Sequence, residues 1–110
     1  METEMAQYIL VYHGGLKKPQ SETKGAKMMS DWQNWVESMG TDLVDPGNGV
    51  GMSKTVMSDG SVVDNGGSNP FSGYCCIRAD SMDEALNQTK NHPFLSMGGS
   101  IEIAQIYEHQ

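Results

Sequence analysis

Gly73-Tyr-Cys-Cys-Ile-Arg-Ala79, Ser81-Met-Asp-Glu84 and Ile101-Glu-Ile-Ala-Gln-Ile-Tyr107 are three pieces of one stretch, 73–108, on which the reading of the fold turns. The first is rich in strand-forming side chains, the second is a capping box that opens a helix, and the third alternates like a half-buried strand. The stretch therefore predicts strand, helix, strand. Its helix should run over about 82–91, burying Met82, Ala85, Leu86 and Thr89, and stop at Pro93, which cannot continue it.

Upstream lies a longer copy of the same unit. After a loose start at 1–5, Ala6-Gln-Tyr-Ile-Leu-Val-Tyr12 is an unbroken run of strand formers that stops at His13-Gly14-Gly15. A helix is expected over about 24–39, with Ser21 or Thr23 as its cap. Met28, Trp32, Trp35, Val36 and Met39 make one buried face, and Gly40 takes the left-handed position at its end. Trp32 and Trp35 read as core anchors. Asp42-Leu-Val-Asp45, strand two or its first half, is a short strand ended by the turn formers Pro46-Gly-Asn-Gly49, and 52–57 with 61–64 flank Ser58-Asp-Gly60 as a hairpin. Residues 65–72 are dense in Gly and Asn and read as a loop bordering a site.

This order, βαββαβ with an extra short hairpin, is that of an α+β ferredoxin-like plait: one antiparallel sheet with two helices on one face, spanning 1–110 as a single domain. Ile, Val, Tyr and Cys occupy both alternations of the 6–12 and 73–79 strands, so the second face of the sheet is too apolar to sit in water. A homodimer packed sheet to sheet is the expected cover.

Composition narrows the partners. At 110 residues, 37% hydrophobic and a mean hydropathy of -0.47, the chain suffices for one core, and its apolar residues come in periodic blocks. A net charge of -7 disfavours nucleic acid and anionic membrane surfaces, and no apolar run approaches the roughly 20 residues that span a bilayer. With acids near Met1 in place of a basic, apolar leader, the expected compartment is the cytoplasm. Cys75 and Cys76 are strand neighbours that point to opposite faces, so they read as free thiols. No phosphate-cradling glycine loop and no metal-ligand spacing occurs, so neither cofactor nor metal is expected.

The chemistry-bearing residues are few. His92 ends the second helix and Glu102 lies on the last strand. An imidazole beside a carboxylate is the minimum equipment for moving a proton, so these two are the catalytic candidates. His13, Tyr8, Tyr12, Tyr74 and Arg78 sit on or at the end of strands, where one alternation would present a hydroxyl or a guanidinium to a ligand. His109 is next to the terminus and reads as solvated.

The ordered set Tyr8-Ile-Leu-Val-Tyr12, the Met28/Trp32 helix ending in Gly40, Ser72-Gly-Tyr74, Asp80-Ser-Met-Asp-Glu-Ala85 and His92-Pro-Phe-Leu-Ser-Met-Gly-Gly-Ser-Ile-Glu-Ile103 resembles the YCII-related family, also called DGPF-domain proteins. The resemblance implies a ferredoxin-like fold dimerised as an α/β barrel. It also implies small enzymes in a few members, with a proposed His-Asp pair. This chain departs from that pattern. The first helix has no histidine, His92 stands where one subgroup has aspartate before its proline, and Asn65-Gly-Gly-Ser-Asn69 separates Asp64 from Pro70-Phe71. The leading functional expectation is thus a homodimeric small-molecule-binding module with a barrel cavity. The alternative is a small cofactor-free enzyme of isomerase, lyase or hydrolase type, working by acid-base chemistry on a carbonyl or aromatic-derived compound.

Overall fold

A computed structural model describes residues 6–14, 22–64 and 70–107, with the side chains of 22–24 excepted. The expected loose start, the capping side chains of Ser21 and Thr23, loop residues 65–69 and His109 lie outside it. In order, the elements are β1 (Ala6–His13), α1 (Glu22–Met39), β2 (Leu43–Gly49), β3 (Lys54–Val56), β4 (Val62–Asp64), β5 (Phe71–Ala79), α2 (Met82–Thr89) and β6 (Ser100–Gln105). The chain is α+β.

The main sheet has the order β2-β5-β1-β6, with every neighbouring pair antiparallel. Each helix therefore links strands that are next-but-one, β1 to β2 across β5 and β5 to β6 across β1, an arrangement compatible with a ferredoxin-like plait. Both helices cover the same face. Trp35 and Met39 of α1 and Ala85 of α2 join Tyr8, Leu10, Cys75, Ile77 and Ala79 in one buried cluster. Alternation does the sorting: in β5 every second residue from Gly73 to Ala79 is buried, and those between are half-buried.

Strand pairing places Ile9, Val11, Tyr74, Cys76, Glu102 and Ala104 together on the opposite face, which neither of the described helices covers. The molecule is accordingly flat. Its extents are 48 × 46 × 18 Å, the shortest fitting one sheet and one helix layer, and its radius of gyration of 15.8 Å exceeds the roughly 13 Å of a compact chain this long.

Three local expectations need correction. Pro46-Gly-Asn-Gly49 does not end β2 but bulges it: Gly47, at φ +69°, donates its N–H to Asp45 Oδ1 at 2.8 Å, and the register slips twice against β5. A Cβ at residue 47 would strike the Tyr74 backbone carbonyl, so only glycine passes here. Phe71 and Ser72 belong to β5 instead of the preceding loop, paired through His13 and through Val50, whose N–H reaches Ser72 O at 2.9 Å. In α2 the buried residues are Ala85 and Thr89, whereas Met82 and Leu86 are 38% and 41% exposed. Ala85 is small enough to let the helix lie close to the sheet, and Thr89 satisfies its hydroxyl on Ala85 O at 2.7 Å.

The remaining elements match their sequence signals. Ser81 caps α2, its Oγ accepting from Glu84 N at 3.2 Å, and Gly40 follows α1 at φ +55°. The 54–64 hairpin forms a separate two-stranded sheet, closed by Lys54 on Asp64 at 2.6 Å. Among the described residues no helix is long and apolar enough to cross a membrane.

Candidate functional site

α2 stops at Thr89, and Pro93 starts a tight 3-10 segment, Pro93–Met97, for which His92 is the N-cap. His92 Nδ1 accepts from Phe94 N at 3.0 Å. A nitrogen that accepts cannot carry the hydrogen, so the ring holds it on Nε2. That nitrogen lies 2.8 Å from the Tyr12 hydroxyl and donates to it, and Tyr12 in turn donates to Cys75 Sγ at 3.1 Å. His92, Tyr12 and Cys75 thus form one directed row of hydrogen bonds, anchored in the return connection, β1 and β5.

The row is uncharged near neutrality. His92 is 4% exposed and packed against Trp35, Tyr12 and Trp32, with ring centroids 4.4, 5.0 and 5.4 Å away. Burial pushes its pKa down to about 4. The same burial raises the Cys75 thiol to about 11 and lifts the Tyr12 phenol above its ordinary value, with the Cys75 contact adding to the latter. Imidazole, phenol and thiol all keep their neutral forms at pH 7.

Beside the row is a cavity of about 340 Å³ between α1 and the Pro93–Met97 segment. Its walls include Tyr12, Trp32, Phe94, Met28 and Met97. Phe94 stacks on Tyr12 at 4.9 Å, and Trp32 on Trp35 at 5.6 Å. Trp35 donates its Nε1–H to Gln88 O at 3.2 Å, which ties α1 to α2 behind the wall. Two glycines make room: Gly73 pairs with Tyr12, and a Cβ at Gly99 would run into the Phe94 ring. The size falls at the lower end of small-ligand pockets, and the apolar, aromatic lining with a few polar groups is their usual character.

The structure brings His92 to Tyr12, whereas Glu102 meets His13, whose Nε2 lies 3.0 Å from Glu102 Oε1. Glu102 pairs with Val11 on the open face of the sheet and its side chain is 68% exposed. Of the other tyrosines, Tyr8 is buried in the core and Tyr74 is on the open face with Arg78, whose Nε donates to Asp42 Oδ1 at 3.2 Å. Trp32, read from the sequence as a core anchor, is half-buried and lines the cavity. Cys75 and Phe94 are site residues that the sequence reading did not select. The shared alternation of Leu10, Tyr12, Gly73 and Cys75 was the signal available for the thiol.

Among the described residues no three His, Cys, Asp or Glu side chains cluster as metal ligands would. No protein-family model matches the chain, and no curated protein sequence matches it.

Proposed function

We propose that this protein is a small-molecule-binding module, a YCII-related plait that dimerises through the open sheet face into an α/β barrel and holds its ligand in the cavity beside Tyr12 and His92. The observation that carries the binding role is the cavity itself. It is aromatic-walled, of ligand size, and floored by a hydrogen-bond row whose members already satisfy one another. A row of that kind fixes shape and polarity without needing a ligand to complete it. The strand order and the uncovered apolar face support the plait and the dimer.

Methionine-methyl NMR tests the binding role, because methionines stand both at the cavity (Met28, Met29 and Met97) and far from it (Met52, 96% exposed). Titration with small aromatic fragments should move the cavity methyls saturably and leave Met52 in place. Shifts at no cavity methyl across a broad fragment set would end the proposal. Sedimentation at micromolar concentration tests the dimer, and a clean 12.0 kDa species would remove it.

The unbroken row from His92 to Cys75 also favours the alternative, a cofactor-free acid-base enzyme, since it offers a path for a proton. Both imidazole nitrogens are occupied, however, so a substrate would have to displace Tyr12 before His92 could act. Turnover lost in Tyr12→Phe with fragment binding retained would favour that reading over simple binding.

A further inference from the structure

We infer that the cavity takes a hydrophobic organic cation, a protonated amine or quaternary ammonium on an apolar body, with its charge set among the rings of Trp32, Tyr12 and Phe94 and opposite Asp31. The inference rests on the reading of this cavity as a ligand site and adds the sign of the ligand's charge.

The polar groups that face the space are nearly all electron-rich. Tyr12 spends its only hydroxyl hydrogen on Cys75, so its remaining capacity is as an acceptor. Ser96, also in the lining, donates its hydroxyl to Pro93 O at 2.7 Å. Asp31 is the one carboxylate among the described lining residues. Its Oδ2 receives Lys27 Nζ at 2.8 Å, while Oδ1 makes no hydrogen bond among the described residues. Aromatic faces carry the negative end of a quadrupole and attract cations, and thioether sulfurs such as those of Met28, Met29 and Met97 are weak acceptors.

Groups that would welcome an anion are scarce. No Lys or Arg is among the lining residues described, and His92 has both nitrogens engaged and stays neutral. Among the described lining residues the one side-chain donor left is the Trp32 indole N–H, which finds no hydrogen-bond partner among the described residues. Lys27 does not line the cavity, and its side chain is 74% exposed, so the pair it makes with Asp31 is a surface i,i+4 contact that a bound cation can share or replace. The net charge of -7 further draws cations to the molecule.

The test uses three probes of nearly equal size on the full chain: benzyltrimethylammonium, its neutral carbon isostere neopentylbenzene, and the anion phenylacetate. Binding is read by tryptophan fluorescence and calorimetry. The cation should bind at least tenfold tighter than the isostere, with phenylacetate weakest. Asp31→Asn should lower the cation's affinity about fivefold and leave the isostere unchanged, and Asp31→Glu should restore the preference. Equal or tighter binding of the neutral isostere to the unmodified protein would overturn the inference while leaving the cavity a ligand site, and that comparison needs no variant to fold. Absence of binding by all three, with no cavity methyl moved by any aromatic fragment, would remove both the inference and the binding role beneath it.

Discussion

The two faces of the sheet are built from the same strands with nearly the same kinds of residue, yet they do different work. On β1 the covered face carries Tyr8, Leu10 and Tyr12, and the open face Ile9, Val11 and His13. Leu10 is fully buried under the helices, whereas Ile9 and Val11 one residue away are only half-buried. Hydrophobicity alone does not decide which face becomes a core. The crossover helices do, because each must return on the same side of the sheet to reach a strand next-but-one. The face they leave bare keeps its apolar residues, and it also receives the hydrogen bond between His13 and the largely exposed Glu102.

Substitutions on the two faces should separate accordingly. Leu10→Ala removes a fully buried side chain and should lower unfolding stability by about 3–4 kcal/mol in urea titration. Val11→Ala should cost about 1 kcal/mol at low protein concentration, and any larger loss that grows with concentration would reveal a covered open face.

Second in size to Leu10→Ala is an effect of pH. His92 has a folded pKa of about 4, below its unfolded value of 6.5, so the unfolded chain binds its proton first as pH falls. Its contribution is complete above pH 6.5, declines between 6.5 and 4, and is spent below that. The loss should be on the order of 2–3 kcal/mol, after allowing for partial solvent screening. A urea midpoint flat across that window would contradict the burial assigned to His92.

Tyr12→Phe should cost about 1–2 kcal/mol, because it keeps the ring packing but strands the His92 Nε2–H without its acceptor. The smallest effect belongs to the open face. Glu102→Gln should change stability by no more than about 0.5 kcal/mol, since the carboxylate it alters is largely exposed.

Much of this architecture was legible in the chain. The strands at 6–12 and 73–79, both helices and the 54–64 hairpin carried local signals of period, cap and turn strong enough to place them. Pro46-Gly-Asn-Gly49 misled because turn formers in a strand and turn formers that end one have the same composition, and only pairing with β5 tells a bulge from a stop. The site was half legible. His92 stood out at a His-Pro helix end, and Tyr12 lay on a strand, but neither observation says which tyrosine the return connection brings within 2.8 Å of the ring. Glu102 drew attention as the carboxylate on the last strand, a short connection beyond His92. Register then put Ile101 opposite Tyr12 and Glu102 opposite Val11, which sends the carboxylate to the far side of the sheet.

Gly99 gives the cavity a feature that none of its lining residues could. The Phe94 ring occupies the place a methyl group on residue 99 would fill, so that single carbon sets how far the ring leans onto Tyr12. Width is thereby governed by a residue behind the wall, whereas the carboxylate beside the cavity, Asp31, comes from α1. A cavity whose caliber and polarity are written on separate elements can be retuned for bulk without touching its sign, and for sign without touching its bulk.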